Sequence, residues 1–263
     1  MTDFIGTENL VVLQQRILAR QSLIDGDINL VNGGRLMLFL DPDLTGWNTV
    51  RRYAEEDQLI GFPAVEEEKM IPLIHRYLGV GWKTPTWLCL TGGVDRVLHC
   101  CRDIVKSNPL PTSWNITTLE QPDSGMVDEI QALNSETGVL PYPAYYMRSE
   151  ALPVLTVCIL NADNDLVATA SVADRYNLNS RLGGYAFAGN VSVSTQCRGK
   201  GLGKFVNALA LIESQKRFNW NFVTEQAALD NPISRAMIIS CGLDDTAGLV
   251  TIAASNFDER ITR

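Results

Sequence analysis

The stretch that most constrains this chain is residues 191–203, VSVSTQCRGKGLG. A β-branched run leads straight into a basic, glycine-rich loop. Behind it, residues 204–213 (KFVNALALIE) have helical spacing. A strand, a glycine loop and a helix start, in that order, make a site for a phosphate. Glycines let the backbone approach closely, and the unpaired N–H groups of a helix N-terminus point at the anion.

The 263 residues, 46% of them hydrophobic, suffice for one large domain or two small ones. A formal net charge of −8 argues against nucleic acid or an anionic membrane as the main partner. A local basic pocket is still compatible with it, and Arg198, Lys200 and Lys204 sit together. The cysteines are Cys89, Cys100, Cys101, Cys158, Cys197 and Cys241, with no CxxC pair, and the histidines are His75 and His99. A tight Cys/His cluster is missing, so no metal is expected. The adjacent Cys100 and Cys101 are better read as buried thiols than as a strained disulfide. The first residues carry acids and no basic run, unlike a signal peptide, and no stretch approaches a membrane span. The expected location is the reducing cytoplasm.

Two prolines and small polar residues at 107–113 (SNPLPTS) mark a boundary between 1–110 and 114–263. In the first part, 9–18, 47–58, 64–77 and 94–106 read as helices, and 35–40 and 87–90 as strands. The second part is clearer. Strands are expected at 114–119, 153–160, 167–172, 185–194, 221–224 and 249–253. Helices are expected at 126–134, from the glycine loop to 218, and from 231 to Gly242, with Pro232 in the first turn. The turn formers at 161–165 make the second and third of these strands a hairpin. The order is β-α-β-β-β-α-β-α-β.

This order, with this loop, resembles the GNAT superfamily of acyl-CoA N-acyltransferases. The family signature, Arg or Gln, two residues, Gly, one residue, Gly or Ala, is matched by RGKGLG at 198–203. A second block, Asn, a small residue three further on, and a closing Gly-Phe, is matched from Asn231 through Ser234 to Gly242-Leu243, with Leu for Phe. The resemblance runs from Trp114 onward. It implies a mixed α/β fold over 114–263, a mostly antiparallel central sheet flanked by helices, with acetyl-CoA as co-substrate. Backbone groups of Val191, Ser192 and Val193 would pair with the pantetheine amides. Arg198, Gly199, Lys200, Gly201, Leu202 and Gly203 would hold the pyrophosphate, and Asn231 the cofactor arm. A P-loop is excluded because no GK[ST] follows at the required spacing. The preceding hairpin argues against a Rossmann unit.

The chain also departs from the family. Ile238 stands where many members carry a tyrosine that protonates the departing thiolate, and no carboxylate occurs between Asp174 and Glu213. The proton-transfer candidates are Glu225, placed just after the strand at 221–224, and Tyr185, with Ser240 and Cys241 near the vacant tyrosine position. His75, His99 and Cys197 read as structural or solvated. The aromatic run 142–146 (YPAYY) either lines an acceptor pocket or is ordinary packing. Two functions compete: acetyl transfer to a small-molecule or peptide amine, and a CoA-binding sensor that has lost its chemistry. For 1–110, a degenerate second copy and an unrelated cap over the acceptor site both stand.

Overall fold

The computed structural model describes residues 3–257. Along the chain it has helices α1 (Glu8–Ala19) and α2 (Gln21–Asp25), strands β1 (Leu30–Asn32) and β2 (Met37–Phe39), and helices α3 (Pro42–Thr45) and α4 (Trp47–Asp57). There follow β3 (Leu59–Val65), α5 (Glu67–Leu78), β4 (Thr86–Gly93) and α6 (Val94–Ser107). The second part is β5 (Asn115–Leu119), α7 (Ser124–Thr137), α8 (Ala144–Met147), β6 (Val154–Leu160), β7 (Leu166–Ala173) and β8 (Tyr185–Val193). It ends with α9 (Leu202–Phe218), β9 (Phe222–Ala228), α10 (Pro232–Ser240) and β10 (Val250–Ser255).

All ten strands form one sheet, in the order β1-β2-β3-β10-β4-β9-β8-β7-β6-β5. The pairs β2·β3 and β8·β9 are parallel, and the others are antiparallel. The order has an internal symmetry. β1-β2-β3 stand to α4, α5 and β4 as β7-β8-β9 stand to α9, α10 and β10. The first part of the chain therefore repeats the second, lacking counterparts of β5 and β6. The last strands are exchanged between the repeats. β9 pairs with β4 along its whole length, Ala228 with Trp87 through Phe222 with Gly93. β10 pairs with β3, and the two exchanged strands pair with each other at the centre.

Alternation sorts the side chains of the second repeat onto two faces. Val157, Ala170, Ala186 and Ala188 join the core beneath α9, with Val97 and Cys101 of α6. α9 is buried nearly all round because α6 covers its outer side, as expected of a helix with little amphipathicity. On the other face Val127 and Ile130 of α7 and the α8 tyrosines pack on Val154, Cys158 and Ala173. The described cysteines are all free thiols, Cys100 half-buried and Cys101 buried. Among the described residues no helix is long and apolar enough to cross a membrane.

The expected helix at 64–77 begins later, at Glu67, and Ala64 and Val65 belong to β3. β3 was not expected at all: Gly61 and Pro63 interrupt its apolar pattern, yet all seven residues are buried. The strand expected at 221–224 extends to Ala228, because β4 supplies a partner for its second half.

Candidate functional site

β8 and β9 start as a parallel pair, Tyr185 with Phe222 through Ala188 with Glu225, and then part. From Gly189 onward β8 keeps only β7 as a partner, while the end of β9 pairs with β4. The open wedge leaves the β9 side of residues 191–193 without a strand partner. The Ser194 N–H bonds the Val167 carbonyl, on the β7 side. Backbone direction alternates along a strand, so Val193 presents its N–H to the wedge. The register slips between Thr169 and Ser171, opposite Asn190, whose φ of 52° marks a bulge. The bulge inverts the alternation. Val191 and Val193 lie on the α9 face, and Asn190 is turned to the α7 face. Ser192 is buried on the α7 face, bonded to Asn134 at 2.7 Å and Thr137 at 2.8 Å.

The wedge ends at the glycine loop. Gly199 and Gly201 have φ of 77° and 76°, a conformation that other residues adopt only under strain. A side chain at Gly199 would meet nothing within 4 Å, so space lies in front of it. Leu202, Gly203 and Lys204 open α9, and their N–H groups, like the first of any α-helix, have no acceptor within the helix. Arg198 reaches back to the Val193 carbonyl at 3.3 Å. Lys200 is exposed, Lys204 is half-buried, and no acid interrupts the loop. This donor set fits a pyrophosphate at a helix N-terminus. The linking segment closes over the loop: Asn108, Pro109, Pro111 and Trp114 share a cavity of about 360 Å³ with Lys200, Gly201 and Cys197. The Asn231 carbonyl oxygen caps α10 by accepting from the Ser234 N–H at 3.0 Å, which leaves its amide N–H₂ to donate.

Glu225 lies within β9, not after it, on the last rung before the strands part. Its side chain points under α9, 2% exposed, and accepts from Asn207 at 3.0 Å. Burial raises its pKa to about 7, against the opposing Asn207 bond. Tyr185 stands on the opposite face, three rungs back, stacked on Phe222 with centroids 4.9 Å apart. The two candidates therefore cannot exchange a proton directly. Ile238 is 1% exposed in the core, Ser240 bonds the Met237 carbonyl, and Cys241 is buried within reach of Asn207. His99 is exposed beside Asp103, and His75 lies in the last turn of α5.

The state of Glu225 is open to a stability measurement. Its carboxyl stays neutral in the fold up to about pH 7 but ionises near 4.5 once unfolded. Stability is then lost as pH rises through that window, by about 3 kcal/mol at most, and the loss is complete above pH 7. Glu225→Gln should be more stable than the native protein at pH 8 and little different at pH 4.5. Urea unfolding at both values checks this, and an equal gap at both would refute a raised pKa.

The α7 side of the wedge holds residues that sequence reasoning missed. The Leu140 carbonyl accepts from both Asn190, at 3.5 Å, and Arg35 of the β1–β2 turn. The Arg35 guanidinium lies over the Tyr142 ring at 4.7 Å. Arg175 lies over the Phe187 ring at 3.5 Å, and Phe187 neighbours the last rung. The aromatic run is buried, with Tyr145 donating to the Gly34 carbonyl at 3.2 Å. The available signal was an arginine leading the buried strand read at 35–40.

In the first repeat the matching gap is bridged by a side chain. β2 and β3 also part, after Leu38 and Gly61, but Arg181 from the β7–β8 connection fills the gap. It donates to the carbonyls of Leu40 at 2.6 Å, Ala64 at 2.9 Å, and Pro63. Where the chain after β8 has Arg198 to Gly201, the chain after β2 has Asp41, Pro42 and Asp43.

No protein-family model matches the sequence, and no curated protein matches it. Solved structures do. A GCN5-related N-acetyltransferase from Kribbella flavida aligns over 96% of this chain and 99% of its own at 13% identity, with a TM-score of 0.58. A GCN5-related N-acetyltransferase-like protein from Streptococcus suis aligns over 93% and 99% at 15% identity, TM-score 0.53. A tandem GNAT protein from the clavulanic acid biosynthesis pathway aligns over 81% and 70% at 14% identity, TM-score 0.54. The fold is therefore that of the GCN5-related N-acetyltransferases, in an arrangement that includes a tandem member.

Proposed function

We propose that this protein is an acyl-CoA-dependent N-acyltransferase that moves an acetyl group to an amine by direct attack in a ternary complex. One observation carries the reading: the parting of β8 and β9 opens straight onto a glycine loop at a helix N-terminus. A strand edge that presents the Val193 N–H, with no strand paired to it, suits the amides of a pantetheine arm. The loop N–H groups, with Arg198 and Lys200, suit a pyrophosphate, and Asn231 suits the arm between. The bound thioester supplies an activated acyl carbonyl. The chain supplies position, exclusion of water, and a proton site at Glu225, whose raised pKa suits exchange near neutrality. Glu225 sits on the rung where the strands part, three rungs nearer the wedge than Tyr185.

The experiment is an acetyl-CoA turnover screen over amines, amino acids, aminoglycosides and peptides, reading free thiol release. Thiol release that requires an acceptor is the expected result. Tight acetyl-CoA binding with no turnover on any class would sink the enzyme reading. It would favour a CoA-binding sensor, a reading to which the buried Ile238 at the tyrosine position lends weight.

A further inference from the structure

Arg175 is 9% exposed, and among the described residues its side chain makes one hydrogen bond, to the Tyr176 hydroxyl at 2.8 Å. Its Nε is buried with no acceptor, and so is the Tyr146 hydroxyl. Arg35 approaches the same place from the other repeat. Burial, with the Arg175 charge nearby, holds its pKa below the ordinary guanidinium value, although Tyr142 and Tyr146 oppose this. Among the described residues no carboxylate lies within ion-pair distance of Arg35 or Arg175. Burying one guanidinium without a counter-charge is costly, and a second one nearby adds repulsion. Proteins retain such arrangements where an anion completes them, and a planar fork of donors suits a carboxylate.

We propose that Arg175 and Arg35, with the Tyr146 hydroxyl, form the binding site for a carboxylate on the substrate. The acceptor is then an amine bearing a carboxylate, such as an amino acid. This rests on the acyltransfer reading for its chemistry, but not for the anion site itself. Ring contacts with Phe187 and Tyr142 hold the two guanidinium planes beside the wedge, on the face opposite α9. There an acceptor enters from the side away from the glycine loop helix.

The test needs no turnover. The full-length protein is titrated calorimetrically with a panel of L-amino acids, their methyl esters and the corresponding decarboxylated amines. Native protein, Arg175→Met and Arg35→Gln are compared, with circular dichroism as the check on folding. Arg35→Gln, on a half-buried turn, keeps the test decisive if Arg175→Met fails to fold. At least one amino acid should bind tenfold or more tightly than its ester and amine, and Arg35→Gln should remove that preference. A parallel titration compares succinyl-CoA with acetyl-CoA. A tenfold preference for succinyl-CoA that Arg35→Gln abolishes keeps the anion site but moves the carboxylate to the acyl group. Equal binding of acid, ester and amine, with no succinyl preference, overturns the proposal. Carboxylate-selective binding without acetyl transfer would retain this site and remove the enzyme reading. Acetylation of an amino acid at an undiminished rate by Arg35→Gln would retain the enzyme reading and remove this site.

Discussion

Gly201→Glu weakens acetyl-CoA binding at least a hundredfold, the largest effect expected of any single change in the loop. Three costs coincide. Gly201 has a φ of 76°, which a side chain adopts at a cost of about 1–2 kcal/mol. A Cβ there meets the Lys204 Cε at 3.2 Å and comes within 3.8 Å of the Asn108 side-chain oxygen, so the glutamate is driven into the loop mouth. Its carboxylate then neutralises Lys204 and faces the site of a pyrophosphate. A hundredfold loss is about 3 kcal/mol, well within the sum of lost phosphate bonds and added repulsion. Gly201→Ala separates the costs. It keeps the strain but adds no charge, and the flexible Lys204 side chain can yield, so its loss should be tenfold or less. Isothermal titration with acetyl-CoA reads both. Undiminished binding by the glutamate variant would remove the loop from the cofactor site, and with it the basis of the proposed function.

The second large effect concerns the two repeats. Residues 114–263 expressed alone should fail to give a cooperatively folded protein, although they contain every residue assigned to the cofactor. Without β4, the β9 edge from Phe222 to Ala228 loses its partner, and β10 loses both β3 and β4. Val250, Ile252, Ala253 and Ala254 would come out of a core in which each is under 10% exposed. Burying one such Val or Ile contributes about 1.5–3 kcal/mol, and a few of these exceed the usual stability margin of a domain. Bare strand edges also invite aggregation. Co-expression with residues 1–113 should restore solubility, because the exchanged strands then find their partners. Size-exclusion chromatography and urea unfolding decide it. A soluble, cooperative fragment that binds acetyl-CoA would show that the exchange is dispensable.

How far the sequence anticipated this follows from the range of the interactions. The glycine loop, the hairpin at 161–165 and the helix start at Asn231-Pro232 depend on residues a few positions apart, and all were readable. The strand exchange depends on pairings between distant segments, and no local pattern encodes it. β3 was missed because Gly61 and Pro63 break its alternation. Pro63 lacks an N–H, but its carbonyl is what Arg181 takes. Glu225 was expected beyond its strand because the supporting partner, β4, lies more than a hundred positions earlier in the chain. The two arginines were passed over for the same reason: each is unremarkable in its own segment, and only the sheet brings them to one wedge.

The placement of β10 also bears on how the molecule is made. β10, the last strand among the described residues, lies in the middle of the sheet, against β3 and β4 from the first repeat. A ribosome delivers β3 and β4 long before β10 exists. Until then neither repeat can close its core, and β3 waits with an open edge. Completing the sheet means closing the loop from Val65 to Val250, the kind of non-local contact that slows folding most. The nascent protein must therefore remain partly unpaired until β10 has been made. Its assembly is a single late event rather than two successive ones.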